Sequence, residues 1–366
     1  TNGAGTMAWA TASGGGSALG DNLVINGGMN LAQRGTTFTT TGVSVAYSLD
    51  RWRFGSSVAG SSLTVTQSNI VPTVAASGVL FTNSLLLTNN NAITPPSGLG
   101  SVINYNIEGY DFQRIAQREF TVSFWVRSSV TGTYSLAFQS DTSAFSNAYV
   151  ATYTINAANT WEQKTITVSP SPATGTWNYT NGQGLFITFS LGAAGPVTTS
   201  TLNTWISGNI YSATTQVNFT GTAGATFYLT GVKIEEGSTA TGFVYRQIAS
   251  EIELCQRYYQ KTFNLATAPA SNTESGLRAS GVATAAAAGV SVLGEFGFTT
   301  RMRGTPTITT FNPFAAGNQI ANSAQTSSGT AVFTVSPSRV SFTFTVPAGG
   351  GVGTNFGVHF TADSEI

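Results

Sequence analysis

One helical segment lies in a chain whose other patterned stretches all have the length and period of β-strands. Apolar residues recur at helical spacing from Ile248 to Tyr259, and Ser250 with Glu253 has the form of a capping box. We therefore predict a connecting helix over residues 248–261. Because an amphipathic helix this short must bury its apolar side against a neighbouring β region, we expect it to act as a rigid joint.

The stretches before the helix alternate apolar and polar residues, as Phe120 and Phe124 do with Thr121 and Ser123. Gly, Pro, Asn and Ser separate them, and no βαβ rhythm favours a parallel sheet. We predict strands over Leu63–Ser68, Ser84–Thr88, Glu119–Ser128, Gly132–Gln139, Tyr149–Ile155, Gln163–Val168, Gly184–Ser190 and Thr226–Ile234. The predicted fold class is all-β, with an antiparallel jelly-roll-like β-sandwich, one short connecting helix and a smaller C-terminal antiparallel β domain.

The composition divides the chain into four predicted parts. Residues 1–20, which include the flexible run Ser13–Ser17, have the composition of a connector to a preceding region. The β-sandwich is predicted over residues 21–247 and the connecting helix over 248–261. The C-terminal β domain follows over residues 262–366.

The last predicted strand contains the only histidine. Phe356, Val358 and Phe360 fall on one face of this strand, and His359 points to the opposite face. We therefore expect an exposed or interface imidazole.

The only cysteine, Cys255, lies on the apolar side of the helix, where a small buried hydrophobic residue is the expected role.

The shortage of charge limits the classes of partner. Charged residues make up 8% of the chain, against about 25% in an ordinary soluble domain. Fifteen basic and fifteen acidic residues cancel, and no basic cluster is present to follow a phosphate backbone, so we expect no nucleic-acid binding. No apolar run approaches the roughly 20 residues of a spanning helix, so we also expect no membrane insertion.

The sequence offers little for catalysis or for a cofactor. One histidine and one cysteine exclude a His-rich or Cys-rich metal motif, and no nucleophile elbow or phosphate-binding loop is present. A glycosidase needs only two carboxylates, but Asp50 adjoins Arg51 and Arg53, which favours a paired structural role. We predict a protein that is not an enzyme and that has no catalytic residue, metal or cofactor.

Residues 165–232 contain no charged residue, and four aromatic residues lie in this neutral region: Trp177, Tyr179, Trp205 and Tyr211. Aromatic rings beside Asn, Thr and Gln suit neutral sugars, because a ring covers the apolar face of a sugar while amides bond its hydroxyls. These four residues are the candidate glycan-binding site. The alternative is that the rings belong to a core or to a subunit contact, since Trp is highly buried on average.

Two sets of short motifs resemble bacteriophage tail-fibre and virion structural proteins. The first set, before residue 53, resembles the opening of their sandwich and comprises Asn22–Gly27, Gln33–Thr36 and Asp50–Trp52. The second set resembles the segment that closes the sandwich and comprises Gly231–Gly237, Ala240–Phe243 with Arg246, and Glu253–Tyr259.

The resemblance implies a carbohydrate-binding-like jelly roll in a phage particle, often followed by a C-terminal β domain. It implies a tail or other exterior appendage of the virion as the location, a homotrimer, and partners among other phage tail or virion proteins. We expect the chain to be the C-terminal part of a tail fibre that contributes to recognition of a host cell-surface glycan. The alternative is a purely structural virion protein, such as a capsid fibre, cement or tail component.

Overall fold

The computed structural model describes residues 22–141, 144–276, 279–282, 291–322, 328–329, 332–345 and 355–366. The predicted connector over residues 1–20 lies outside these ranges. Within them, no helix has the length and apolar character that crossing a membrane requires.

Most of the described chain before residue 237 is β-strand. The strands are β1 (Thr37–Thr41), β2 (Ser44–Tyr47), β3 (Trp52–Ser56), β4 (Ser62–Ser68), β5 (Ser84–Asn89), β6 (Gly100–Glu108), β7 (Phe120–Ser128), β8 (Gly132–Gln139), β9 (Ala148–Ile155), β10 (Glu162–Val168), β11 (Gln183–Ala193), β12 (Thr198–Thr199), β13 (Trp205–Ile206), β14 (Ser212–Ala213) and β15 (Thr226–Glu236).

These strands form two antiparallel sheets. The first has six strands in the order β1-β4-β5-β15-β7-β10, and the second has seven in the order β13-β9-β8-β11-β6-β3-β2. The inward side chains of both sheets meet in one large core, in which the ring of Phe124 lies 5.2 Å from that of Phe189 and 5.1 Å from that of Tyr153. The predicted all-β, jelly-roll-like sandwich is therefore confirmed.

All eight strands predicted from alternation are present, with ends that differ by at most a few residues. Strands β1, β2, β3 and β6 and the two-residue strands β12, β13 and β14 were not predicted from the sequence. Strand β6 has a clear alternating pattern, since Ile103, Tyr105 and Ile107 face the core while Asn104 and Asn106 face outward. This alternation of apolar and polar residues in β6 can be recognised in the sequence.

Three short helices are described: α1 (Val74–Ser77), α2 (Gly109–Phe112) and α3 (Ile248–Gln256). The connecting helix α3 ends at Gln256, five residues before its predicted end. The predicted capping box is also wrong, because the N-cap is Gln247, which makes no side-chain cap hydrogen bond, and Ser250 lies inside the helix. The chain leaves the helix because residues 259–261 pair with a strand near the end of the chain. Cys255 is buried against Ile25 and Leu31, as predicted.

The strands after the helix are shorter. They are β16 (Tyr259–Lys261), β17 (Ala279–Val282), β18 (Ser291–Gly297), β19 (Thr307–Phe311), β20 (Ile320–Asn322), β21 (Ser328–Gly329), β22 (Val332–Ser336), β23 (Arg339–Thr345), β24 (Asn355–Gly357) and β25 (His359–Asp363). They form three small antiparallel sheets, in the orders β16-β25-β19, β17-β24-β20-β21 and β18-β23-β22. The predicted antiparallel β region after the connecting helix is present.

The expectation of an exposed or interface His359 is wrong. Strand β25 has a neighbour on each side and is buried on both faces, so the imidazole is fully buried together with Val358 and Phe360. Its ring stacks on Phe263 at a centroid distance of 3.9 Å, and its Nδ1 lies 2.8 Å from the Oγ1 of Thr262. Burial lowers the pKa of His359, which favours the neutral ring of a structural histidine.

Candidate functional site

A groove of about 260 Å³ crosses the outer face of the seven-stranded sheet. Its floor is a row of residues that are paired across adjacent strands, from Arg53 on β3 through Asn104 on β6 to Thr188 on β11. Paired residues project from the same side of a sheet, and the alternate residues Trp52 and Ile103 belong to the core. The groove is lined by Val45, Arg53, Ser56, Ser57, Gly98, Leu99, Gly100, Val102, Asn104, Gln139, Phe145, Phe186, Thr188, Val197, Asn209 and Tyr211.

One end of this outer face is covered by the segment between β11 and β15. Strands β12 and β14 pair in parallel within this segment, and Ala213 packs on Ala137 and Val150 of strands β8 and β9. The cover stops at Tyr211, which forms part of the groove wall. Strands β3, β6 and β11 form the groove floor beside this cover, and the floor residues Asn104 and Thr188 are only 2% and 1% exposed.

The groove combines amide groups with aromatic rings. The Nδ2 of Asn104 donates to the Oγ1 of Thr188 at 2.8 Å, and the Nε2 of Gln139 donates to the Oδ1 of Asn209 at 3.0 Å. These bonds orient the amides of Asn104, Gln139 and Asn209. Burial raises the pKa of Tyr211 to about 12, so its phenol stays neutral and can donate a hydrogen bond at physiological pH.

Arg53 is the only charged residue among the described residues that line the groove. Its guanidinium lies over the ring of Phe186, with 5.5 Å between its Cζ and the ring centroid. The Nε of Arg53 is buried and has no hydrogen-bond partner. The groove therefore presents one cation on an otherwise neutral, partly aromatic surface.

Of the four residues predicted as a glycan-binding site, only Tyr211 lines this groove. Trp177, Tyr179 and Trp205 are half-buried and pack against the edge of the sandwich core. The Trp177 and Tyr179 rings stack on Phe112 at 5.1 and 6.0 Å, and the Trp177 and Trp205 rings are 5.6 Å apart. Both indole nitrogens donate to backbone carbonyls, of Thr174 for Trp177 and of Ser169 for Trp205. Three of the four predicted residues thus form a cluster of their own, with its N–H donors already in use.

No protein-family profile and no curated protein matches the chain. Among solved structures, the chain is similar to the enzymatically active domain of tailspike protein 4 of bacteriophage CBA120, at 17% identity and a TM-score of 0.31 over 59% of this chain and 21% of that one. It is also similar to the family 11 carbohydrate-binding module of the cellulase Lic26A-Cel5E of Clostridium thermocellum, at 10% identity and a TM-score of 0.28 over 56% and 90% of the two chains.

A third similar structure is the N-terminal CBM22-1–CBM22-2 tandem domain of Xyn10C from Paenibacillus barcinonensis, at 10% identity and a TM-score of 0.28 over 95% and 91% of the two chains. The chain spans about a fifth of the length of the tailspike chain that it matches. All three similarities are distant.

The motifs that resemble phage virion proteins meet in a buried cluster of charges, away from the groove floor. Arg51 is fully buried, forms an ion pair with Glu365 and lies 3.4 Å from the ring centroid of Tyr258. Arg34 contacts Asp363 at 2.9 Å, Glu365 at 3.3 Å and Asp50 at 3.7 Å. We call Arg34, Asp50, Arg51, Tyr258 and Glu365 the charge cluster.

Asp50 has the structural role expected of a paired carboxylate, with Arg34 as its partner. Burial raises the pKa of Asp50 to about 6, although Arg34 and Gln33 act in the opposite direction. Glu108 lies near the charge cluster and accepts two hydrogen bonds from Arg257, at 2.8 and 2.5 Å, and one from the hydroxyl of Tyr258 at 2.6 Å. Among the described residues, no three His, Cys, Asp or Glu side chains are grouped to hold a metal ion.

Proposed function

We propose that the sandwich binds a glycan in the groove on the outer face of its seven-stranded sheet, without catalysis. The observation that supports this most is the composition of the groove, in which the exposed amide of Asn209 lies with the partly exposed rings of Phe145 and Tyr211. Amides and hydroxyls can bond sugar hydroxyls, and aromatic rings cover the apolar faces of sugars. A concave, pre-formed site with few polar groups is also the usual form of a small-molecule site.

Binding without hydrolysis fits the residues of the groove better than glycosidase activity does. Glycoside hydrolysis generally needs a pair of Asp or Glu residues on either side of the scissile bond. The described residues that line the groove include no carboxylate and no histidine. A sugar in this groove would therefore lie beside no acid or base of the kind that hydrolysis requires.

We further propose that the chain is the C-terminal part of a phage tail fibre, as the motifs before residue 53 and after residue 230 suggest by resemblance. In a homotrimer, three grooves would act together on one host surface. Avidity can exceed single-site affinity by about 10² to 10⁴, so weak binding in each groove would suffice. Neutral Thr, Ser and Gly surfaces also lose less on burial between subunits than charged ones do.

A purely structural virion role is the second candidate function. The half-buried cluster of Trp177, Tyr179 and Trp205 favours it, because these rings pack on the core. Exposed apolar side chains such as Leu80, which is 70% exposed, are suited to contacts with neighbouring virion proteins.

Light scattering distinguishes a trimeric fibre from other oligomeric states, since the fibre proposal requires a mass three times the 38.0 kDa of one chain. A monomer would count against it.

A substitution that fills the groove with a larger side chain tests whether the groove is the glycan-binding site. Val102 lines the groove, and its cross-strand partners Gly55 and Ser190 are small, so Val102→Trp would project a large ring into the binding space. Thr66 is the matched control, because it projects from the outer face of the other sheet beside Thr37 and Leu86. Trp is favourable in strands, so both variants should keep the fold.

We expect the unchanged protein and Thr66→Trp to bind the same members of an array of bacterial surface polysaccharides, and Val102→Trp to lose that binding. Circular dichroism and light scattering would verify that the two variants keep the fold and mass of the unchanged protein. Equal binding by Val102→Trp would remove the groove as the site. Absence of binding by all three proteins would favour the structural virion role.

A further inference from the structure

We infer that the groove selects an acidic sugar, whose carboxylate pairs with the guanidinium of Arg53. This inference rests on the proposed function of the groove and adds the class of ligand. It starts from the contrast between Arg53 and the two other arginines at this end of the sandwich. Arg34 and Arg51 are both paired with carboxylates in the charge cluster, whereas Arg53 forms no ion pair with any described residue.

The groove lining determines which donors of Arg53 a ligand can meet. The Nε of Arg53 is enclosed without a hydrogen-bond partner, which leaves the two terminal nitrogens of the guanidinium as the donors available to a ligand. A terminal N–H of the guanidinium can donate to an acceptor that a ligand brings into the groove. The position of the guanidinium in the groove makes the ligand the natural source of that acceptor.

A carboxylate is a better acceptor for the guanidinium of Arg53 than a hydroxyl is. The guanidinium has five N–H donors in a planar fork that matches the two oxygens of a carboxylate, and such charge-assisted bonds are about twice as strong as neutral ones. Contact with the face of Phe186 holds the guanidinium in place. Among the described residues that line the groove there is no acidic side chain to repel an anionic ligand.

We expect the groove to bind a neutral sugar less tightly than an acidic one. If it covered Arg53, it would take a cation out of water without supplying a counter-charge, which is unfavourable. Asn104 is the cross-strand partner of Arg53, so an amide lies directly beside the cation. Because Asn104 is 2% exposed and its Nδ2 already donates to Thr188, contact with the carboxylate falls to Arg53.

The test compares acidic polysaccharides with their own neutral forms. The probes are polygalacturonate, alginate and hyaluronan, each beside the product in which its carboxylates have been reduced to hydroxymethyl groups. Binding is measured by titration calorimetry for the unchanged protein, Arg53→Gln and Arg53→Lys. Arg118→Gln is the control, because Arg118 is an exposed surface arginine and its loss changes the net charge equally.

We expect at least one acidic probe to bind the unchanged protein about tenfold or more tightly than its reduced form. Arg53→Gln should abolish this preference, Arg53→Lys should retain part of it, and Arg118→Gln should leave it unchanged. The Val102→Trp variant, with its groove filled, should bind neither form.

Several results would overturn the inference. If a neutral form binds as tightly as its acidic parent and Val102→Trp removes that binding, the proposed function stands and the choice of an acidic sugar is wrong. If the acidic preference survives Arg53→Gln, Arg53 is not its source. If Arg53→Gln changes the oligomeric mass, the partner of Arg53 is a second copy of the chain. If no probe binds, the inference falls, and binding on the polysaccharide array decides separately whether the proposed function stands.

Discussion

At the scale of single residues, Glu162 shows how a carboxylate is used in a chain that has few. It accepts hydrogen bonds from the backbone nitrogens of Asn156 and Ala157, at 2.8 and 3.0 Å, and from the ammonium of Lys164 at 2.6 Å. Partial burial alone would raise its pKa, but these bonds outweigh that effect and lower the pKa of Glu162 to about 2. The side chain thus stabilises the turn between β9 and β10.

We predict that Glu162→Gln lowers the free energy of unfolding by about 1–2 kcal/mol, since hydrogen bonds to a charged group contribute about 1.5–3 kcal/mol each and the amide retains part of them. A folded-state pKa below the ordinary 4.5 means that the contribution is fully present above about pH 4.5 and is lost as the pH falls towards 2. Urea unfolding at pH 7 and pH 3 measures both effects.

The control for this variant is Glu236→Gln, which removes an exposed carboxylate from its pair with Arg118. Exposed pairs contribute about 0–1 kcal/mol, so little change is expected. Equal losses for Glu162→Gln and Glu236→Gln, or a loss for Glu162→Gln that does not depend on pH, would contradict the role assigned to Glu162.

At the scale of elements, the charge cluster joins strand β25 and the residues after it to the sandwich. Arg51 donates to the backbone oxygen of Asn106 at 2.7 Å in β6 and pairs with Glu365, which follows β25. Arg303 donates to the backbone oxygens of Ser364 and Glu365 in its own region, at 2.7 and 3.0 Å, and also to the backbone oxygen of Asn181 in the sandwich. The two β regions are therefore connected by specific polar contacts as well as by helix α3.

We predict that Arg51→Met destabilises the protein by about 3–5 kcal/mol, because the carboxylate of Glu365 and the backbone oxygen of Asn106 lose a buried partner. Arg339→Met is the matched control, since Arg339 pairs with Glu295 on the surface, where about 0–1 kcal/mol is expected. Thermal unfolding measures both. A loss below about 1 kcal/mol for Arg51→Met would show that the cluster does not hold the two regions together.

The elements also show what the sequence could and could not predict. Alternation with period two is local, so strands such as β7 and β8 were predicted almost to their ends. The end of α3 depends on Tyr259–Lys261 pairing with β25, about 100 residues later in the chain, and no local pattern contains that information. The burial of His359 has the same origin, since it follows from the packing of both faces of β25.

At the scale of the whole molecule, the candidate site was harder to predict than the fold. The four residues predicted from the sequence are aromatic residues of the uncharged region, and only Tyr211 lies in the groove. The others reach the core edge through contacts such as that of Trp177 with Phe112, which is distant in sequence. The groove floor comes from strands that are adjacent only in the folded sheet, so Arg53, Asn104 and Thr188 have no spacing that would have revealed them.

The separation of the groove from the tryptophan cluster allows the central claim to be tested by one measurement. Hydrogen–deuterium exchange is followed by mass spectrometry for the protein alone and with the polysaccharide that binds best on the array. We predict slower exchange in the peptides that contain β3, β6 and β11, and no change around Trp177 and Trp205. Protection confined to the peptides around Trp177 and Trp205, or no protection in any peptide, would contradict glycan binding in the groove.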